Sequence, residues 1–497
     1  MSARVLGQSA WWLALAVSST IACAPATSRP VVAPLDDVAS YRGARARLVA
    51  DERALRLGAG LVLSADEQAA DRRLRKLQAD ELARTRASFP PAASFLLART
   101  RLAYEQSPLF AVLRRMPKGA VLHGHLSAMG DYRWMVQRVM ASDRTYVFMD
   151  DDQVTPRGAL RFADATPGAG WRRLSELRID GENPSVLEQR VLRALTLGDE
   201  EITHADIWSE FTTIFGRVRG LFSDSGFSAD HFDHVVENLV HDNVQYLELR
   251  SAPVDEAWIA RARRHDPAFD VKFIPAAGRS ISRDEAARVL ADVVDERQAH
   301  PDRVKGFDLV QEEDEGNTNI YYLEELLAAR RAARQRGMDL PLYLHSGESN
   351  WADNDNLYDA ILLGAPRIGH ALALIRHPLL LQQIKVRDIA IEVCPISNQV
   401  LAFVSDLRTH PAAHYLSVSV PLVLSSDDPG IFQSSLTHDF YAAFMAWGLD
   451  LRALKQLAMN SLHYSAMTAE ERSRAMTVWQ QRWTSFVTWV NGTYPDA

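Results

Sequence analysis

The sequence predicts an α/β chain closed into a (β/α)8 TIM barrel, with a helical N-terminal extension and an insertion after the first strand. Three observations carry that expectation. Short runs rich in Val, Ile and Leu recur from Met116 onward, each followed by a longer helical pattern. Strands that are apolar throughout and alternate with helices belong to a parallel sheet covered on both faces. The runs are Ala120–His123, Val244–Leu249, Val271–Ile274, Gly306–Val310, Leu340–His345, Arg367–Gly369, Ile389–Val393 and Pro421–Ser425, and eight units fit a closed barrel. No Gly-x-Gly-x-x-Gly follows the first run, which removes the dinucleotide-binding open sheet.

The chain has 497 residues, 47% hydrophobic and 24% charged, which suits a globular protein with a sizeable core and excludes wholesale disorder. A formal charge of −8 argues against a protein that coats nucleic acid. Arg4 precedes a charge-free stretch from Val5 to Ser28, with an apolar centre at Trp11–Val17 and small residues at Ile21–Ala26. That pattern reads as a secretory signal over residues 1–26. Cleavage at Ala22-Cys-Ala24 or Ala24-Pro-Ala26 releases a soluble protein. Thr20-Ile-Ala-Cys23 instead resembles a lipoprotein box, with Cys23 as the lipidated first residue and the only link to a membrane. The expected location is therefore exported: periplasmic, anchored to the outer membrane, or secreted.

Residues 27–115 read as a tether followed by a helical extension, interrupted at Pro90-Pro91. Residues 116–497 form the barrel. The stretch between the first and second strands exceeds one crossover helix, and its middle is full of Asp, Pro, Gly and Arg, so an inserted subdomain is expected at about 140–205. Cys23 and Cys394 cannot make a disulfide framework, and Cys394 reads as a small buried hydrophobe.

In such a barrel the chemistry projects from the carboxyl ends of the strands. The first strand ends in His123-Gly-His125, whose imidazoles share one face at i and i+2. The fifth ends in His345-Ser-Gly-Glu348, the sixth in Gly369-His370, and the eighth in Ser426-Asp427-Asp428-Pro429. Three imidazoles and a carboxylate suit one Zn2+ with a position open for water.

Met116–His125, His345–Glu348, Arg367–His370, Glu392–Asn398 and Ser425–Pro429 together resemble the motif set of the adenosine deaminases, nearest to their secreted, growth-factor-type branch. The resemblance implies that His123, His125, His345 and Asp427 hold the zinc. It implies that Glu348 protonates purine N1, that His370 hydrogen-bonds the zinc-bound water and helps deprotonate it, and that Asp428 meets N7. The implied reaction converts adenosine or 2′-deoxyadenosine to inosine or 2′-deoxyinosine plus ammonia. A small purine nucleoside is then the partner, not nucleic acid, and the branch's N-terminal helices imply a homodimer.

Two positions depart from the family pattern. Leu126-Ser127 stands where an acidic residue usually holds the ribose 5′-hydroxyl, and Gln311 stands where a glycine usually meets N3. Ser127 and Gln311 are therefore substrate-binding candidates, and they favour an alternative reading, a deaminase of 5′-modified adenosine or another aminopurine nucleoside. A second alternative is a non-catalytic extracellular binding protein on the same fold. Trp208 reads either as a wall near the ribose or as a core aromatic. His231, His234 and His241 read as a solvated helix face rather than a metal site, Glu313 and Asp314 as solvated loop acids or as lining of the barrel mouth, and Asp150–Asp152 as a plain loop rather than a loose calcium site.

Overall fold

The computed structural model describes residues 37–85, 101, 104–149, 158–178, 183–198 and 206–494. The signal, the tether, Cys23, Pro90-Pro91 and Asp150–Asp152 lie outside them. The chain divides into a unit ending at Asp51 and a larger one from Glu52 onward. The helix Val38–Ala54, which supplies the described part of the first, buries none of its residues.

The larger unit is built on eight parallel strands: β1 Gly119–Val121, β2 Val244–Leu249, β3 Asp270–Phe273, β4 Asp308–Val310, β5 His345–Ser346, β6 Arg367–His370, β7 Ala390–Val393 and β8 Leu422–Leu424. β1 pairs with β2 and β2 with β3. β5, β6, β7 and β8 pair in that order. Short bridges complete the ring: Phe273 to Val304, Phe307 to Leu342, and Gly124 to Asp427, which joins the first strand to the last. Pro275 interrupts the third strand because it has no N–H to give, and the chain resumes pairing at Ala276–Gly278 against β4. The fifth strand, expected from Leu340, is regular only at His345–Ser346.

Between β1 and β2 the chain adds a three-stranded antiparallel sheet, in which Thr145–Phe148 lies between Leu160–Phe162 and Trp171–Arg173. The helices Pro184–Leu195, Ile207–Arg219 and Ser225–His241 follow. At the opposite end of the barrel, the helix Leu451–His463 straddles the seam. Ser461 Oγ accepts from Ala120 N at 2.9 Å, while Asn460 Nδ2 donates to Leu422 O at 2.8 Å.

The helix Ala65–Thr85 is docked, not free. Ser64 and Glu67 cap its N-terminus reciprocally. The remaining oxygen of Glu67 accepts from Lys455 Nζ at 2.6 Å and Trp483 Nε1 at 2.7 Å. That acid thus ends one helix and ties it to the C-terminal pair, where Trp479 and Trp483 are buried. Full burial of each large apolar side chain contributes roughly 1.5–3 kcal/mol.

Candidate active site

The strand ends bring the expected residues to one place. His123 and His345 lie with their Nε2 atoms 3.0 Å apart. Asp427 Oδ1 is 3.3 Å from His123 Nε2 and 3.2 Å from His125 Nε2. His370 Nε2 lies 3.9 Å from Asp427 Oδ2, and His370 Nδ1 lies 3.3 Å from Glu348 Oε1. Among the described residues, His123, His345, His370 and Asp427 lie close enough together to share an ion, and His125 groups likewise with Asp427 and Asp428. Close packing explains the approach: a Cβ on Gly369 would stand 3.0 Å from His123 Cε1.

The far side of each ligand ring is pinned. His123 Nδ1 meets Glu392 Oε2 at 2.7 Å and His345 Nδ1 meets Asp308 Oδ2 at 2.8 Å. A ring that donates from Nδ1 to a carboxylate presents a bare Nε2 lone pair. Two such lone pairs 3.0 Å apart need a proton or a metal ion between them. Asp427 Oδ1 and His370 Nε2 are buried and make no hydrogen bond within the protein. Burial draws His125 down to about 4, so its ring is neutral and able to ligate. Imidazoles, a carboxylate and unmatched inward-facing atoms fit a divalent ion of the zinc type.

The carboxylates behind the ligands are held by two buried guanidiniums. Arg250 reaches Glu392 Oε2 at 2.6 Å and Asp308 Oδ2 at 3.1 Å. Arg367 donates to Glu392 Oε1 at 2.6 Å and to Glu248. Burial opposes ionisation of Glu392, but Arg250 and Arg367 outweigh it and keep its carboxyl well below the usual range.

The acids facing the cavity divide into two kinds. Burial, then the charges of Asp427 and Glu313, push Glu348 well above its ordinary value. Burial and the Asp427 charge do the same to Asp428. For Asp427 itself burial is outweighed by His123, His125 and His370, so it stays ionised. A carboxyl drawn down by the histidines around it, and so suited to a cation, therefore sits beside two that burial and the Asp427 charge push up.

Sequence reasoning missed the group that places Glu348. Glu313 is a buried acid, not a solvated one: its oxygens accept from Glu348 N at 2.9 Å, Gly347 N at 3.0 Å and Asn356 Nδ2 at 2.7 Å. Of the solvated face expected at His231, His234 and His241, only His241 is exposed. His231 is buried, its Nε2 lies 2.9 Å from Leu126 O, and burial draws it down to about 4, so it anchors the loop after His125. His234 stacks on Trp134. Both lie on the helix flank packed under the loop, a neighbour that local spacing does not reveal.

A cavity of about 270 Å3 opens over these groups, lined by His125, Glu348, His370, Asp427 and Asp428 at its floor. Trp208, Phe211 and Phe215 line it from one face of the helix Ile207–Arg219, and Ser127 and Gln311 also border it. Trp208 packs edge-on against Phe211 and Phe403, so it is a cavity wall as well as part of an aromatic cluster. Gln311 holds φ +83°, a left-handed backbone that costs a non-glycine residue about 1–2 kcal/mol. Its Oε1 accepts from Ser280 Oγ at 3.2 Å, and its carboxamide lies against Gly278. His370 and Asp427 share the left-handed region, at +61° and +58°. Strain gathered at three residues of one cavity is the mark of a functional site. Cys394 is buried beside it, and burial pushes its thiol up, which makes it inert.

Fold and site together define a barrel hydrolase of the amidohydrolase kind, and the comparisons narrow this. The family profile described as Adenosine deaminase matches residues 200–478, and that for Adenosine/AMP deaminase N-terminal matches 34–113. Adenosine deaminase 2 of Sus scrofa is 36% identical over 485 residues, covering 89% of this chain and 93% of its own. Adenosine deaminase 2 of Homo sapiens is 35% identical, covering 89% and 92%. A zinc-bound amidohydrolase from Burkholderia ambifaria shares the fold at TM-score 0.56 and 17% identity, over 77% of this chain and 95% of its own. The chain belongs to the adenosine deaminase family, nearest to its adenosine deaminase 2 branch, and is an enzyme of the deaminase type. No helix among the described residues is long and apolar enough to cross a membrane.

Proposed function

We propose that this enzyme hydrolyses the amino group of adenosine and 2′-deoxyadenosine, releasing inosine or 2′-deoxyinosine and ammonia, with one zinc ion held by His123, His125, His345 and Asp427. The observation that carries the reading is the convergence of buried imidazoles and Asp427, grouped closely enough to share an ion, with Glu348 and Asp428 on the wall of one cavity. Bound zinc would supply a water acidic enough to lose its proton near neutral pH.

The chain's own residues account for the rest. Purine N1 is an acceptor, so it needs a donor, and Glu348 holds its proton because it is buried beside negative charge. Proton transfer to N1 lowers the cost of adding water oxygen at C6. The C6–N bond then breaks, the nitrogen leaving as ammonia with one proton of the added water, while the other water proton restores Glu348. N7 is also an acceptor, and a protonated Asp428 donates to it. Trp208, Phe211 and Phe215 give an apolar wall against which the nucleoside excludes water. Residues 1–26, read as an export signal, would place the reaction outside the cytoplasm.

Following the ultraviolet absorbance of adenosine with purified enzyme, with and without a chelator, tests this. Rapid turnover that chelation abolishes and zinc restores is the expected result, and turnover indifferent to chelation would refute it. Ser127 in place of an acid favours a second reading, in which a 5′-modified nucleoside is preferred. There 5′-deoxyadenosine reacts about as well as adenosine, and a loss of roughly 100-fold or more, ~2.7 kcal/mol, rejects it.

A further inference from the structure

A chain of hydrogen bonds reaches His370 from a group that can only donate. Ala412 N–H points at His410 Nδ1 at 3.0 Å, so that nitrogen carries no proton. His410 is 2% exposed, and burial draws it down to about 3, so the ring is neutral and its proton is on Nε2. His410 Nε2 lies 3.1 Å from Asn398 Oδ1 and donates to it. This settles which way the Asn398 carboxamide faces. Its Nδ2 lies 3.2 Å from His370 Nδ1 and 3.5 Å from Glu348 Oε1. An amide nitrogen donates only, so His370 Nδ1 accepts and its proton is on Nε2, the side facing Asp427.

We propose that Asn398 and His410 are positioning residues that set the tautomer of His370, so that His370 offers an N–H donor rather than a lone pair towards the attacking water. The proposal rests on the deaminase reading above and reverses the role that the family resemblance implies, in which His370 takes a proton. The bonds from His410 through Asn398 select between the two tautomers, against Glu348 Oε1, which lies 3.3 Å from the same nitrogen and would accept from an Nδ1–H. Had His370 carried its proton on Nδ1, two donors would face each other across 3.2 Å. Turning Asn398 over to relieve this would set its Nδ2 against the Nε2–H of His410, and His410 cannot adapt because the backbone amide of Ala412 holds its other nitrogen. Asn398 lies on the fully buried helix Pro395–Val400, and Pro411 starts the next helix with His410 as its cap, so both side chains are held by rigid backbone.

Long-range proton–nitrogen spectra of the zinc-loaded enzyme labelled with 15N-histidine read the tautomer directly, with the His370 signals assigned by their loss in His370→Gln. The wild-type ring is expected to be protonated on Nε2, and protonation on Nδ1 would overturn the proposal without any variant. His410→Phe is expected to mix the two tautomers and lower kcat by roughly 10–100-fold, leaving KM and zinc content unchanged. His410→Gln, which keeps a donor for Asn398, restores most of kcat. A His410→Phe enzyme with wild-type tautomer and wild-type kcat also overturns it. Wild-type enzyme that shows the Nε2 tautomer but no turnover of adenosine would instead sink the deaminase reading.

Discussion

Glu348→Gln is expected to lower kcat for adenosine by roughly 100- to 10,000-fold, the usual worth of a positioned proton donor. The substitution keeps shape and hydrogen-bonding capacity but removes the acid that gives N1 its proton. Zinc content and KM should change little, because Glu348 is outside the expected ligand set. The pH profile adds a sign. Glu348 is raised by burial and by Asp427, so the working form is protonated and kcat falls as pH rises through that value. This alkaline limb should vanish in the variant. A Glu348→Gln enzyme that keeps kcat within about fivefold of wild type would remove Glu348 from the mechanism.

Arg250→Leu is the substitution with the largest expected effect on stability. Arg250 is buried between Glu392 and Asp308, and its removal leaves Asp308 without a guanidinium and Glu392 with Arg367 alone, directly behind the zinc ligands. Breaking a buried ion pair from one side costs ~3–5 kcal/mol, which denaturant unfolding measures as a lower midpoint with an unchanged slope. Loss of zinc should accompany it, since His123 and His345 are oriented through those same carboxylates. The pH dependence follows from the direction of the shifts. Burial opposes ionisation of both acids, but Arg250 is among the charges that depress them. Their contribution to stability is thus fully present above the ordinary carboxylate pKa of about 4 and is lost as pH falls through their folded values. In Arg250→Leu that acid-side loss should be smaller. A variant that unfolds at the wild-type midpoint would show that the network is not stabilising.

Much of the site was legible because strand ends are local features. A charged residue inside an apolar strand is a further signal, and it was present: Glu248, Asp308, Arg367 and Glu392 interrupt runs that are otherwise apolar. Strands covered on both faces have no water for such a charge, so each must find a partner across the barrel. The partners could not be named from sequence, because Arg250 and Glu392 lie 142 positions apart. Glu313 and His231 were misread as solvated for a related reason. Helical spacing and loop composition describe an element's own chain, whereas their burial is imposed by the loops after β5 and β1.

The sequence alone determined the barrel, the order of its strands and the histidines, aspartates and glutamate at their carboxyl ends, because alternation, strand length and i, i+2 spacing are properties of neighbouring residues. Only the tertiary structure decided which acids keep their protons and which nitrogen of His370 bears its hydrogen. Those outcomes depend on burial and on the direction of hydrogen bonds from groups such as Asn398 and His410, and closure of the barrel alone brings Asn398 within 3.5 Å of Glu348 and His370 and sets His410 behind it.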